Sequence, residues 1–355
     1  MMAAWYDRQG PAGEVLQVGD LPDPQPGPGE VRVRVHLSGV NPGDTKKRRG
    51  WLGSSMPFPR VIPHSDAAGV IDIAGDAVDK SRVGQRVWVY GAQSYRPFGT
   101  AAQFAVVPEQ LAVPLPDGLG DDVGAALGIP GITAHRAVFS DGPVDGKTLL
   151  VHGVLGGVSS LAAQLARWGG ATVIATVTRS SDLARVDPAV VAHAVALDKS
   201  DPAGVIRESA PKGVDRIVEV AFSENADLDA AVVGNDAVIA AYATRADRPE
   251  FPFWPMLFAN VTIRLLGSDD FPAGAKQQAA RPHQRSSCRR IAYRGRSVLP
   301  ATPDRRRPRP RRCRHPRPRP RSHPAIANTH AVNGRRRNCS KQCRFSPRPF
   351  SQSGQ

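Results

Sequence analysis

Gly153, Gly156 and Gly157 stand at the spacing at which a backbone can close around phosphate oxygens. They lie between an apolar run, Leu149–Val151, and a segment in which Val158, Leu161, Ala162, Leu165 and Ala166 recur at helical spacing. Glycine lets the chain turn tightly and approach an anion with no Cβ in the way. A helix that starts at such a turn points unpaired N–H groups and a partial positive charge at that anion. A second β-rich run, Ala171–Val177, follows Gly169 and Gly170, so strand, glycine turn, helix and strand form a βαβ unit. The loop Gly153, Gly156, Gly157 and Val158 is thereby expected to hold a dinucleotide pyrophosphate. A turn that uses glycine for packing alone is the competing reading.

The end of the second strand separates the two nicotinamide dinucleotides. A sheet that binds NAD places an acid there for the ribose 2′-OH. Here Thr178, Arg179 and Ser180 follow the strand, and a guanidinium flanked by hydroxyls suits a 2′-phosphate. The expected cofactor is NADPH, with Lys199 as a second cation toward the phosphate; a solvated loop arginine is the alternative for Arg179. Tyr242 ends a strand of the parallel sheet, where ligands bind, and is a catalytic candidate, with core packing as the other reading. The run Lys46-Lys-Arg-Arg49 either attracts an anionic cofactor or substrate or is a solvated face.

These residues need two kinds of scaffold. Residues 1–120 read as β-rich, with strands at Glu14–Val18, Glu30–Leu37, Ala67–Ala74, Arg86–Tyr90, Ala102–Val107 and Leu111–Pro114. Short strands with frequent turns predict a compact barrel-like domain. From Asp121 the pattern alternates helix and strand through a last strand at Val261–Gly267, which predicts a parallel sheet covered on both faces.

Composition excludes several classes. No run of 18 apolar residues is present to span a membrane, and the first residues lack an apolar signal core, so the expected location is cytoplasmic. The four cysteines are Cys288, Cys313, Cys339 and Cys343, so residues 1–287 hold neither disulfide nor thiolate metal site. The net charge of +15 is unevenly spread. Residues 281–355 carry 21 arginines and one lysine against the single acid Asp304, a formal +21; the other residues carry 25 bases and 31 acids, a formal −6.

Five segments carry a family resemblance. They are Gly39-Val-Asn-Pro-Gly-Asp44, Pro63-His-Ser-Asp-Ala-Ala-Gly-Val70, Gly84-Gln-Arg-Val87, Gly128-Ile-Pro-Gly-Ile-Thr-Ala-His-Arg136 and Val151-His-Gly-Val-Leu-Gly-Gly-Val158. In this order and spacing the chain resembles a zinc-independent medium-chain dehydrogenase/reductase of the quinone oxidoreductase (zeta-crystallin-like) group, from about residue 3 to 280. The resemblance implies an α/β architecture: a GroES-like β-barrel domain over residues 1–120, which forms the substrate side, and a Rossmann doubly wound parallel-sheet domain over residues 121–270. It also implies that Asn41 and Thr133 lie near the nicotinamide and that Gly267 and Ser268 flank its amide. Closing the turn before Pro42 is the other role for Asn41. Zinc-dependent relatives place Cys and His where this chain has Asn41 and Ser65, so no metal is expected; His64 reads as a polar cleft residue and Asp66 as a hydrogen-bonding support. The chain departs from the family glycine pattern at Ser159, whose hydroxyl is small enough for close packing and could cap the helix.

The family chain returns to the barrel after about Gly267, whereas here residues 281–355 form an Arg/Pro-rich stretch expected to be a disordered basic tail. It is either a basic arm or the product of a reading-frame change in a G- and C-rich gene. The function expected is NADPH-dependent, zinc-free reduction of a quinone or an activated alkene or carbonyl by hydride transfer. The alternative is a catalytically impaired Rossmann protein whose basic arm binds nucleic acid. The expected partners are a small-molecule substrate and, by resemblance, a second copy at the Val261–Gly267 sheet edge, with no membrane and, in the leading reading, no nucleic acid.

Overall fold

The structure, a computed structural model, describes residues 1–284 and 298–300. The first lobe is built from β1 (Met2–Trp5), β2 (Gln17–Asp20), β3 (Glu30–Gly39), β4 (Asp66–Ala74), β5 (Arg86–Val89), β6 (Phe104–Pro108) and β7 (Ala112–Pro114). Strands β3, β4, β5 and β7 pair in that order, all antiparallel, and β6 pairs with β3. The alternation along β3 explains the sheet: Val31, Val33 and Val35 point into a core with Ile71, Val87, Val89, Ala105 and Val107, while Arg32 and Arg34 face outward. One expected strand is corrected. Glu14–Val18 divides into a helical turn, Ala12–Val15, and β2, because Pro11 starts the turn and Val15 is its one buried residue.

The second lobe carries six parallel strands: β8 (Thr148–Val151), β9 (Thr172–Val177), β10 (His193–Ala196), β11 (Val214–Glu219), β12 (Val233–Ala241) and β13 (Thr262–Leu265). Their spatial order is β10-β9-β8-β11-β12-β13. This is the doubly wound order of a dinucleotide-binding sheet, and the strand order reverses between β8 and β11. The helices Gly157–Trp168 and Ile132–Phe139 cover one face and Pro202–Ser209, Phe222–Val232 and Phe253–Phe258 the other, as the two apolar clusters show. Trp88 and Tyr90 share a core with Leu127 and Ile132, so the lobes are packed against each other rather than tethered.

Patterning hid three helices. Pro42–Arg49 is masked by four consecutive basic residues, and Phe253–Phe258 by apolar side chains on every face. The third, Ala273–Gln284, runs into the stretch expected to begin the tail at 281. A short strand, β14 (Val298–Pro300), pairs antiparallel with Leu37–Gly39 of β3. All other residues of the expected tail, with the four cysteines, lie outside the described residues.

Candidate functional site

The glycine loop leaves β8 at the switch point. Gly153 adopts φ 61, a left-handed conformation that glycine takes without strain. Gly156 precedes the Gly157–Trp168 helix in extended conformation and offers no side-chain cap. The first N–H groups of that helix therefore have no side-chain partner at the cap and face the crevice, which fits an anionic pyrophosphate. Ser159 does not cap the helix. It is fully buried, and its Oγ lies 2.9 Å from the Tyr242 hydroxyl.

That contact gives Tyr242 a packing partner, the second of its two readings. The side chain is partly buried against the core, its hydroxyl is held by Ser159, and burial pushes its pKa upward. The backbone of Tyr242 donates to the Glu219 carbonyl at 3.0 Å, extending the strand ladder. Tyr242 thus braces the loop helix from beneath, and the residue standing in place of the third glycine is its partner.

A buried charged group that sequence reasoning missed lies under the loop. His152 is the residue before Gly153, and its Nδ1 meets Thr176 Oγ1 at 3.0 Å. The Gly153 N–H also reaches Thr176 Oγ1, at 3.2 Å. On the other side, His152 Nε2 lies 2.9 Å from Asp229 Oδ1 and 3.5 Å from Glu219 Oε2. All three residues are fully buried. Burial opposes charge on His152, but the Asp229 hydrogen bond and the two carboxylate charges hold its pKa above the ordinary value. Burial also pushes Glu219 up to about 7, against the pull of His152 and the hydrogen bonds from Ala221 N–H and Asn225 Nδ2. Among the described residues this is the one cluster whose three ligand-type atoms approach within 4.8 Å. Its bonds to Thr176, Ala221 and Asn225 make it an internal ion pair that fixes the loop. No sequence spacing marks it, because one member follows β8 directly, one ends β11 and one lies on the Phe222–Val232 helix.

At the end of β9, Thr178 and Arg179 are exposed. The Arg179 carbonyl accepts the Asp182 N–H at 3.0 Å, while its exposed guanidinium makes no hydrogen bond or ion pair among the described residues. The Ser180 N–H and Oγ both donate to Asp198, the residue before Lys199. Those donors hold the Asp198 carboxyl below the usual carboxylate range. The acid comes from beyond β10, 18 residues from Ser180, so reading the end of β9 alone could not find it. Lys199 is exposed beside it.

The other end of the crevice lies on the barrel. The Asn41 N–H donates to Asp44 at 2.7 Å, which closes the turn into the Pro42–Arg49 helix. Its side chain does separate work, as Nδ2 donates to Asp66 Oδ2 at 2.7 Å. Asp66 Oδ2 also accepts the Ile129 N–H at 2.9 Å, tying the barrel to the segment that leads to Thr133. Gly128 is required here, since a Cβ on it would meet Asp66 Oδ1 at 2.0 Å. Thr133 is buried, and its Oγ1 has no hydrogen-bond partner among the described residues. Such an orphaned hydroxyl fits a ligand polar group. His64 is hydrogen-bonded through Nδ1 to Ser38 at 2.9 Å, and burial lowers its pKa to about 4.

Gly267 and Ser268 follow β13, and the next residues close onto the barrel. Asp269 accepts from Lys47 Nζ at 2.6 Å and from Ser94 Oγ at 2.7 Å, and Asp270 accepts from the Tyr95 hydroxyl. The structure thus places Gly267 and Ser268 at the junction of the lobes. Thr178 and Arg179 lie just past β9, and Lys199 lies just past β10.

Burial pushes Asp66 up to about 8, while the Asn41 and Ile129 hydrogen bonds pull it down. Asp44 is raised to about 7 for the same reason. An unfolded aspartate titrates near ~3.9. Between that value and about 8 the folded chain keeps a proton on Asp66 that the unfolded chain has released, so the Asp66 contribution to stability is lost as pH rises through this window. Asp66→Asn preserves the acceptor for Asn41 and Ile129 and removes this dependence. Its melting temperature is expected to fall less than that of the parent between about pH 5 and pH 8. Parallel melting curves across that range contradict the assignment.

A barrel lobe fused to a parallel sheet of this order, with an uncapped glycine loop at the switch point, defines a dinucleotide-dependent dehydrogenase or reductase. Comparison with known proteins agrees. Residues 27–117 match the alcohol dehydrogenase GroES-like domain. The chain is 34% identical to mouse quinone oxidoreductase over 238 residues, 65% of this chain and 70% of the mouse protein. A mycobacterial protein solved with NADPH shares 25% identity and superposes with a TM-score of 0.66 over 80% of this chain and 87% of its own. An NAD-dependent alcohol dehydrogenase gives 25% and 0.69 over 80% and 90%. The chain belongs to the quinone oxidoreductase group of the medium-chain dehydrogenase/reductase family and is an oxidoreductase by class. The matched part spans 70%, 65% and 49% of the mouse, rat and human quinone oxidoreductases. Among the described residues no helix is long and apolar enough to cross a membrane.

Proposed function

We propose that the chain is an NADPH-dependent reductase of a quinone or of an activated alkene or carbonyl, working without a metal. The observation that carries this reading is the uncapped helix behind Gly153–Gly157, with Arg179 free at the end of β9. When bound, NADPH supplies a hydride, and the acceptor takes one further proton from water. The residues do the rest. The loop N–H groups of Gly157, Val158 and Ser159 hold the pyrophosphate. Arg179, with Thr178 and Lys199, neutralises the 2′-phosphate. Asp198, ionised and hydrogen-bonded by the Ser180 N–H and Oγ, sets one negative charge against the two cations Arg179 and Lys199. Thr133 Oγ1 and the Asn41 amide, set by Asp66, orient the nicotinamide and acceptor beside Gly267 and Ser268. No zinc is proposed: Asn41 Nδ2 is committed to Asp66, and Ser65 is a poor ligand.

Arg179→Ala tests the cofactor assignment. A charge-assisted contact is worth enough that KM for NADPH should rise about tenfold, with KM for NADH nearly unchanged. Equal effects on both cofactors, or none on either, remove Arg179 from the phosphate site.

We also propose a homodimer through β13, with the cytoplasm as its setting. That strand is the sheet edge, and Trp254, Phe258 and Leu265 are 64%, 75% and 76% exposed beside it. A contiguous apolar patch at an open edge marks an interface. Trp254→Asp is expected to give monomers in sedimentation, whereas a parent that sediments as a monomer contradicts the interface.

A further inference from the structure

A cavity of about 450 Å³ opens between the lobes where neither the glycine loop nor the Asn41–Asp66 pair reaches. One wall is Lys46, Trp51 and Leu52 from the barrel, and the other is Thr244, Arg245 and Asp247 from the segment after β12. The barrel wall is built at a conformational cost. Gly50 and Gly53 have φ 75 and 71, and between them Leu52, a residue with a full side chain, is held at φ 55. Such backbone persists where the surroundings enforce it, and it gathers at ligand clamps. Here it turns Trp51 and Leu52 outward, 49% and 65% exposed, instead of into the core. Lys46 Nζ stands 4.3 Å from the Trp51 ring centroid, and Arg245 is exposed on the facing wall. Two cations outnumber the one carboxylate, Asp247.

We infer that this cavity is the outer part of the substrate site and selects a planar aromatic or quinoid ring bearing an acidic substituent. The ring lies against Trp51 and Leu52, and the acid sits between Lys46 and Arg245. Aromatic stacking supplies the flat surface, and two donors from opposite walls supply the charge recognition. The inference rests on the oxidoreductase reading and narrows its substrate class.

The test uses the full chain with saturating NADPH and a matched pair of acceptors, 1,2-naphthoquinone and its 4-sulfonate. The sulfonate is expected to have the higher kcat/KM, by about tenfold at low salt, through KM and with an advantage that shrinks as salt rises. Lys46→Met and Arg245→Met should each reduce the sulfonate-to-neutral ratio without raising KM for NADPH. Trp51→Ala should raise KM for both quinones. A ratio at or below one, or variants that change KM for NADPH instead of the ratio, overturns the inference and leaves the reductase reading standing. Turnover of neither quinone counts against the reductase reading. Calorimetric binding of anthraquinone-2-sulfonate then decides the site alone: loss of binding in Lys46→Met supports it, and no binding by the parent overturns it.

Discussion

Gly156→Asp is expected to yield a folded chain that no longer binds NADPH. Gly156 sits at φ −81 and ψ 158, a conformation any residue adopts, and a Cβ there would lie 3.2 Å from the Gly153 carbonyl. The loop accommodates that by a shift of a few tenths of an ångström. Aspartate is among the best residues at this helix position, because its carboxylate accepts from the first free N–H groups. The substitution therefore caps the helix, and stability should hold or rise. Those same N–H groups are the pyrophosphate site in our reading, and the new carboxylate both occupies them and repels the anion. Losing one or two charge-assisted hydrogen bonds and gaining repulsion corresponds to about 3 kcal/mol, or roughly 100-fold in affinity. Fluorescence titration with NADPH reads the affinity, and thermal melting reads the fold. Unchanged binding in a chain of unchanged stability places the dinucleotide elsewhere.

His152→Leu is expected to have the largest effect on stability. The substitution leaves Glu219 and Asp229 fully buried with their cation gone. Breaking a buried ion pair by removing one partner costs about 3–5 kcal/mol, a large part of the stability of a typical domain. The pH dependence has a definite sign. Glu219 is already raised to about 7 by burial with His152 present, and losing that charge raises it further. The folded variant then keeps a proton that the unfolded chain releases, so its stability should recover as pH falls through that raised value and on toward the ordinary carboxylate range. Adding Asp229→Leu and Glu219→Gln removes all the buried charges, keeps an acceptor for the Ala221 N–H, and should restore much of the loss. Urea unfolding at two pH values measures both effects. A loss below about 1 kcal/mol, or one that deepens on acidification, contradicts the ion-pair account.

How much of this was legible in the sequence follows from how local each signal is. The βαβ unit shows because its strand, turn and helix are contiguous, and its glycines do their work within a few residues. The barrel strands show because Val31, Val33 and Val35 alternate with Arg32 and Arg34. The Pro42–Arg49 helix does not show, since Lys46, Lys47, Arg48 and Arg49 leave no apolar stripe; it is held by the Asn41–Asp44 hydrogen bond and by Asp269 on Lys47. Asp198 reaches Ser180 from beyond the next strand, and Tyr242 reaches Ser159 across 83 residues. A strand-end tyrosine reads the same whether it faces a ligand or a helix, so its contact with Ser159 could not be read from the sequence. The three members of the buried ion pair come from three separate stretches of the chain, so no spacing could announce them.

The most direct test of the central claim is equilibrium titration of the intact chain with NADPH and with NADH, alongside circular dichroism to establish that the sample is folded. Our account predicts saturable NADPH binding, about tenfold or more tighter than NADH, because Arg179 meets the 2′-phosphate. A folded chain that binds neither dinucleotide, or that binds NADH more tightly, contradicts it.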